Sequence, residues 1–206
     1  VSQMSEKKPT RSELKRQAIL LAAKSAFQER GVHNTSMDEL AALAEVSKRT
    51  VYNHFASKEA LIMALMSELW QQATQCAGGT YEAGTDLQSQ LSNLIESEIE
   101  VICSREYIEL NRVAFDHFFH QPEALREQME KFSAYETAIT RWLKAALADG
   151  RLQQLDIEIG SKQIHNLIKG SCFWPQLMQV NPLLNQQERH ALAERTAALF
   201  LSHYRA

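Results

Sequence analysis

Small and apolar residues recur at Leu14, Ala18, Leu21, Ala22, Ser25 and Ala26, the three-and-four spacing of one helix face. The pattern predicts a helix over about 11–30, closed by Gly31. The first ten residues read as a flexible basic arm. In "VHNTSMDEL", Thr35 or Ser36 offers the next N-cap, and Asp38 and Glu39 suit the positive end of the helix that follows. That helix is short, about 37–44. A third opens at the N-cap Ser47 and ends near Phe55, and Ser57 caps a fourth over about 58–77, with a stripe of Leu61, Leu65, Leu69 and Gln72. "GGTYEAGTD" then breaks the periodicity as a hinge or linker.

Longer amphipathic runs follow. Leu87, Leu91, Leu94, Ile95, Ile99 and Ile102 form one stripe, predicting a helix over about 86–104. The next, about 105–121, is apolar on several sides and reads as central to its domain. Pro122 suits the first turn of a helix reaching Asp149 and stopped by Gly150. After the connector "RLQQLD", a helix over about 157–178 must kink or end at Pro175. The last helix runs over about 185–204. No alternating β-branched run competes with these patterns, so the predicted class is all-α: a small N-terminal helical domain, 1–57 with its arm at 1–10, and a larger one, 58–206.

The short pair of helices carries the clearest chemistry. Leu40, Ala41 and Ala44 face inward on the first, Val46 sits in the turn, and Val51 and Phe55 face inward on the second. This is the apolar template of a helix-turn-helix, in which a small residue such as Ala41 lets the helices cross closely. The second helix then exposes Lys48, Arg49, Thr50 and Asn53, whose groups suit base edges in the DNA major groove. Tyr52, His54 and Lys58, with Thr35, Ser36 and Ser47 at helix N-termini, suit phosphates. A short helix with Lys, Arg and Asn outward is also what an ordinary solvated helix looks like; the ordered apolar template is what favours DNA.

Composition sharpens the picture in three places. The net charge is −3, yet residues 1–60 carry +3 and the remainder −6, a basic quarter on an acidic body. Cys76, Cys103 and Cys172 are odd in number, widely spaced and without a CxxC, which fits reduced thiols in a cytoplasmic protein. The polar N-terminus lacks the apolar core of a signal peptide, and no apolar run approaches the roughly 20 residues that span a bilayer, so no membrane association is expected.

The stretch "TSMDELAALAEVSKRTVYNHFASKEAL" resembles the DNA-binding domain of the tetracycline-repressor (TetR/AcrR) family of bacterial transcription regulators. The correspondence lies in Thr35, Leu40-Ala41, Ala44-Glu45-Val46-Ser47, Tyr52-Asn53-His54-Phe55 and Ser57-Lys58-Glu59-Ala60-Leu61, within a match from about Arg11 to Leu65. One departure is Glu45, where the family usually has Gly. That position tends to be left-handed, which costs a non-glycine residue about 1–2 kcal/mol. The resemblance implies a homodimer, each subunit placing one recognition helix in the major groove of a pseudo-palindromic operator, and a repressor more often than an activator. It also implies that the last two long helices pair with their mates. Ile164, Leu167 and Trp174 on the first, and Leu192, Thr196, Leu199, Phe200 and His203 on the second, are the candidate interface, with packing inside the subunit as the open alternative.

The larger domain mixes many aromatics with a few polar residues on apolar helices, the look of a small-molecule pocket. Cys103, Tyr107, Asn111, His117, Tyr135, Ile139, Trp142, His165 and Ser171 are the candidate lining for a small, largely apolar effector. The alternative is plain core, with Asn111 satisfied internally. "DHFFH" places His117 and His120 on one helix face beside Asp116, but no third ligand accompanies them, so neither metal nor other cofactor is expected. No P-loop, GxSxG, GxGxxG or zinc signature supports an enzyme. A helical adaptor using the basic pair to hold protein is the other class, separated from DNA binding by salt dependence.

Overall fold

The computed structural model describes residues 10–76, 80–120 and 136–206, together with Glu123, Arg126 and Glu130; the side chains of 69–76, 113 and 116–120 fall outside that description, as do the predicted basic arm up to Pro9 and Tyr135. Every regular element among the described residues is helical: α1 Arg11–Arg30, α2 Met37–Leu43, α3 Lys48–His54, α4 Lys58–Cys76, α5 Leu87–Ile102, α6 Arg105–His120, α7 Ala138–Ala148, α8 Ile157–Cys172, α9 Trp174–Leu177 and α10 Gln186–Tyr204. None is long and apolar enough to cross a membrane. The chain divides into two compact units, one ending at Leu65 and one running from Met66.

In the first unit, α1 opens on a capping box. Thr10 accepts from the Glu13 amide and the Glu13 carboxylate accepts from the Thr10 amide, so two orphan donors are satisfied at once. Gly31 ends the helix at φ 78°, a conformation glycine adopts without strain. The buried face of α1 is Ile19, Leu20, Ala23, Ala26 and Phe27, which shares only Ala26 with the predicted stripe: Leu14 and Leu21 are exposed. Both stripes have helical spacing, and α2 and α3, which pack against α1, select the second.

The second unit is built on α5. Its stripe Leu87, Leu91, Leu94, Ile95, Ile99 and Ile102 is wholly buried, and α10 is its main neighbour. Gly160 sets the approach of α8 to α10, since a Cβ there would collide with Leu155 and crowd the Phe200 ring. The C-terminus is tied down: the Gln153 amide donates to Tyr204 O, the Ala206 amide to Arg151 O, and Leu152 bridges Arg205.

Two predicted boundaries move. The helix expected to run unbroken to Asp149 instead restarts at Ala138, because Thr137 is extended (ψ 160°) and its side chain caps the Thr140 amide. The helix expected over 157–178 ends at Cys172, and Pro175 enters the first turn of the separate α9, where its missing N–H leaves no bond unmade.

Candidate nucleic-acid interface and second-unit polar cluster

Each element of the helix-turn-helix is set by local hydrogen bonds. Ser36 is the α2 cap, in a second capping box with Glu39. Thr35 is not: it is 1% exposed, and its hydroxyl donates to Gly31 O at 3.0 Å. Burial removes it from the phosphate contacts expected of it. The turn closes with two backbone bonds, Glu45 N to Ala42 O and Val46 N to Ala41 O, the Schellman pattern. That pattern requires the residue after the C-cap to be left-handed, and Glu45 sits there at φ 54°. The departure from glycine therefore falls on the one position of the turn where a side chain is strained.

Ser47 then caps α3, accepting from the Thr50 amide at 3.1 Å and lying 2.8 Å from the Thr50 hydroxyl. Val51 and Phe55 are buried, at 0% and 4% exposure, and anchor α3 on its inner side. Lys48, Arg49, Tyr52 and Asn53 are exposed, while Thr50 and His54 are half-buried. The four exposed residues follow the spacing i, i+1, i+4, i+5, so they share one face. That face presents two cations, an amide with donor and acceptor, and a phenol. Helix width, charge and hydrogen-bonding groups all match the major groove of B-DNA. The Arg16 guanidinium lies 5.3 Å from the centre of the Phe55 ring, linking α1 to the end of α3.

Two cations have protein partners that the sequence did not announce. Lys48 Nζ lies 2.9 Å from the Asp38 carboxylate, an exposed ion pair from α3 to α2. Lys58 Nζ donates to Val32 O at 2.7 Å and Thr35 O at 2.9 Å, pinning the loop before α2 to the start of α4. An ammonium has three donors, so Lys58 keeps one for an outside acceptor.

The candidate effector residues split. Cys103, Tyr107, Asn111, Ile139 and Trp142 are buried. Asn111 Nδ2 donates to Tyr107 O at 2.8 Å, the internal satisfaction that stood as the alternative, and Trp142 Nε1 donates to Gln90 Oε1 at 3.2 Å. Ser171 is exposed and lies in a surface hollow with Leu184, Glu188, Leu192 and Arg195, apart from the buried set. The side chain of His117, with its neighbour His120, and Tyr135 lie outside the described residues.

His165 does find a partner, one missed in the sequence. Its Nε2 lies 3.1 Å from Glu98 Oε1, with the pair poorly aligned for a hydrogen bond, so both atoms lack a well-directed partner. Its Nδ1 lies 2.6 Å from Ser161 O. Burial alone would depress His165, but the Glu98 carboxylate outweighs it and the imidazole is raised above its ordinary 6.5. Burial also lowers the Lys169 ammonium, which lies in the field of the same Glu98. The signal was readable: Glu98 is the one acid on the α5 stripe, between Ile95 and Ile102. Cys103 and Cys172 lie together at the ends of α5 and α8, and the Cys172 thiol, by donating, holds the Cys103 thiol below its ordinary value.

The candidate dimer residues split as well. Ile164, Thr196 and Phe200 are buried within the chain itself, which removes them from any seam with a second copy, whereas Leu167, Trp174, Leu199 and His203 are exposed and Leu192 is half-buried.

Comparison with known proteins places both units. The family model of bacterial regulatory proteins of the tetR family matches residues 19–65, and that of the AefR-like transcriptional repressor C-terminal domain matches residues 89–206. A TetR family transcriptional regulator from Pseudomonas syringae pv. tomato has 36% identity and a TM-score of 0.70, over 94% of this chain and 98% of that one. Among curated relatives, the transcriptional activator FasR of Mycolicibacterium smegmatis is 32% identical over 88 residues, 43% of this chain and 40% of that protein. The regulator UidR of Escherichia coli K12 is 40% identical over 68 residues, 33% of this chain and 32% of that protein. The match to either curated relative thus spans less than half of its length.

Proposed function

Since the chain belongs to the TetR family of bacterial transcriptional regulators, we propose that it binds a pseudo-palindromic operator as a homodimer and leaves it when a small, largely apolar effector binds. The observation that carries this reading is the exposed face of α3, held rigid from behind by Val51 and Phe55. Lys48, Arg49, Thr50 and Asn53 read base edges; Tyr52, His54, Ser36, Ser47 and the remaining donor of Lys58 hold phosphates and set the register. Two such faces in a two-fold dimer read half-sites about 34–36 Å apart, one turn of DNA, or a multiple of that.

The outward faces of α8 and α10, with Leu167, Leu192, Leu199 and His203, form the intersubunit contact. The buried group around Tyr107, Glu98 and His165 supplies the polar anchors for an effector that is otherwise held by apolar surface. An effector favouring one dimer geometry shifts the half-site spacing and so the affinity for DNA. The match to a repressor-type C-terminal domain favours repression; the likeness to FasR, named an activator, supports activation from the same domain as the second reading.

The test is selection of bound fragments from genomic DNA with the purified protein. A recovered palindrome with one-turn spacing is expected. Absence of any enriched palindrome, with binding that ignores salt, refutes the reading.

A further inference from the structure

We propose that the hollow between α6 and the segment joining α8 to α10 is a binding site for a free α-amino acid with an apolar side chain. The hollow has a volume of about 420 Å³, within the roughly 300–1,000 Å³ of small-molecule sites. One wall is a single face of α6, with Arg105, Ile108, Glu109 and Arg112 at helical spacing. The other runs from Gln176 to Leu183.

Three features make this a built site. First, the second wall is held in place. Arg112 donates from Nε to Leu177 O at 2.9 Å and from an Nη to Gln176 O at 2.7 Å. The segment closes on itself with Gln179 N to Gln176 O and Val180 N to Pro175 O, around a left-handed Gln179 at φ 59°. Gln176 Nε2 donates to Pro182 O at 3.2 Å.

Second, the charges facing the hollow are open. Arg105 and Glu109 are opposite in sign and four residues apart, the spacing at which helix ion pairs form, yet they make none. Neither side chain has a hydrogen-bond or ion-pair partner among the described residues. Gln176, 2% exposed, also keeps a buried Oε1 without a partner. Third, the walls are apolar between the charges: Ile108, Val180, Pro182 and Leu183 line the same space, and Val180 is 73% exposed.

A guanidinium donates two N–H groups to a carboxylate in a fork geometry, and Arg112 keeps further N–H groups to assist Arg105. Glu109 is placed to take an ammonium. A ligand with both charges on one carbon and an apolar side chain meets all three demands. A plain carboxylate leaves Glu109 unpaired, and a plain amine leaves Arg105 unpaired. The site lies wholly within the second unit and does not depend on the DNA-binding reading.

The test is calorimetric titration of the full chain, without DNA, using L-leucine as the probe. L-leucinamide lacks the carboxylate and 4-methylpentanoate lacks the ammonium. Saturable binding of L-leucine is expected, at least about tenfold tighter than either analogue. Arg105→Gln and Glu109→Gln should each weaken it by about tenfold or more. Val180→Asp, which places an acid on the apolar wall, should weaken it too. Far-UV circular dichroism of each variant checks that the fold is kept. No saturable heat with L-leucine overturns the proposal, as does binding that survives both Arg105→Gln and Glu109→Gln. Equal binding of 4-methylpentanoate also overturns it, by making the hollow a site for simple anions.

Discussion

Glu45→Gly should stabilise the first unit, and the size of the effect follows from one dihedral angle. Glu45 occupies the left-handed region at φ 54°, which the Schellman bonds from its own amide and that of Val46 require. A side chain in that region costs about 1–2 kcal/mol. Glycine removes this strain but gives the unfolded chain more freedom, which offsets about 0.4–1 kcal/mol. The net gain is about 0.5–1 kcal/mol. For a unit ending at Leu65, that raises its melting temperature by about 2–8 °C.

The assay can separate the units, because all three tryptophans, Trp70, Trp142 and Trp174, lie after Leu65. Tryptophan fluorescence follows the second unit, while far-UV circular dichroism follows both. The gain should appear in the dichroism transition and be absent from the fluorescence transition. Glu45→Ala is the control, since alanine removes the charge but keeps the Cβ that strains the turn. If Glu45→Ala stabilises as much as Glu45→Gly, charge and not the dihedral is the cause. If Glu45→Gly stabilises nothing, the strain argument is wrong.

Lys58→Met should destabilise the first unit by about 2 kcal/mol, because it leaves Val32 O and Thr35 O without their charged donor; urea unfolding would read it, and an unchanged midpoint would show the clamp to be idle. Asp38→Asn should release Lys48 and remove a negative charge beside the exposed face of α3. Operator affinity should rise in a titration by fluorescence anisotropy, most at low salt. The His165 imidazole is raised in the folded state, so its contribution is fully present below its ordinary 6.5 and is lost as pH rises through the folded value. His165→Gln should flatten the fall in the urea midpoint above pH 6.5; an identical pH profile would refute the coupling to Glu98. Arg49→Ala should relax the selected consensus at particular base pairs, whereas Tyr52→Ala should weaken all DNA about equally; the reverse pattern in selected sequences would exchange their roles.

Much of the first unit was legible in the chain because its determinants are local. Ser36, Ser47, Ser57 and Gly31 act on amides and carbonyls a few residues away, and the left-handed turn at Glu45 was an expectation of the family resemblance, which usually puts glycine there. The outward face of α3 follows in turn, since burying Val51 and Phe55 leaves Lys48, Arg49, Tyr52 and Asn53 outside. Thr35 was misjudged for a related reason: Thr35 and Ser36 are both good caps by type, and only the burial of one distinguishes them.

Tertiary structure decided what periodicity leaves degenerate. Helices α1 and α10 carry apolar residues on more than one side, so spacing alone does not say which side turns inward. Leu14 and Leu21 turned out, Ile19 and Ala23 in; Leu199 turned out, Phe200 in. Partners distant in sequence were equally out of reach, as with Lys58 on Val32 or His165 on Glu98. The sequence by itself determined the all-helical class, most of the helix ends and the outward side of α3, because those rest on bonds within a turn or two. Which faces are buried, and which charges are already paired, rests on contacts between helices, and only packing the whole chain chooses among them.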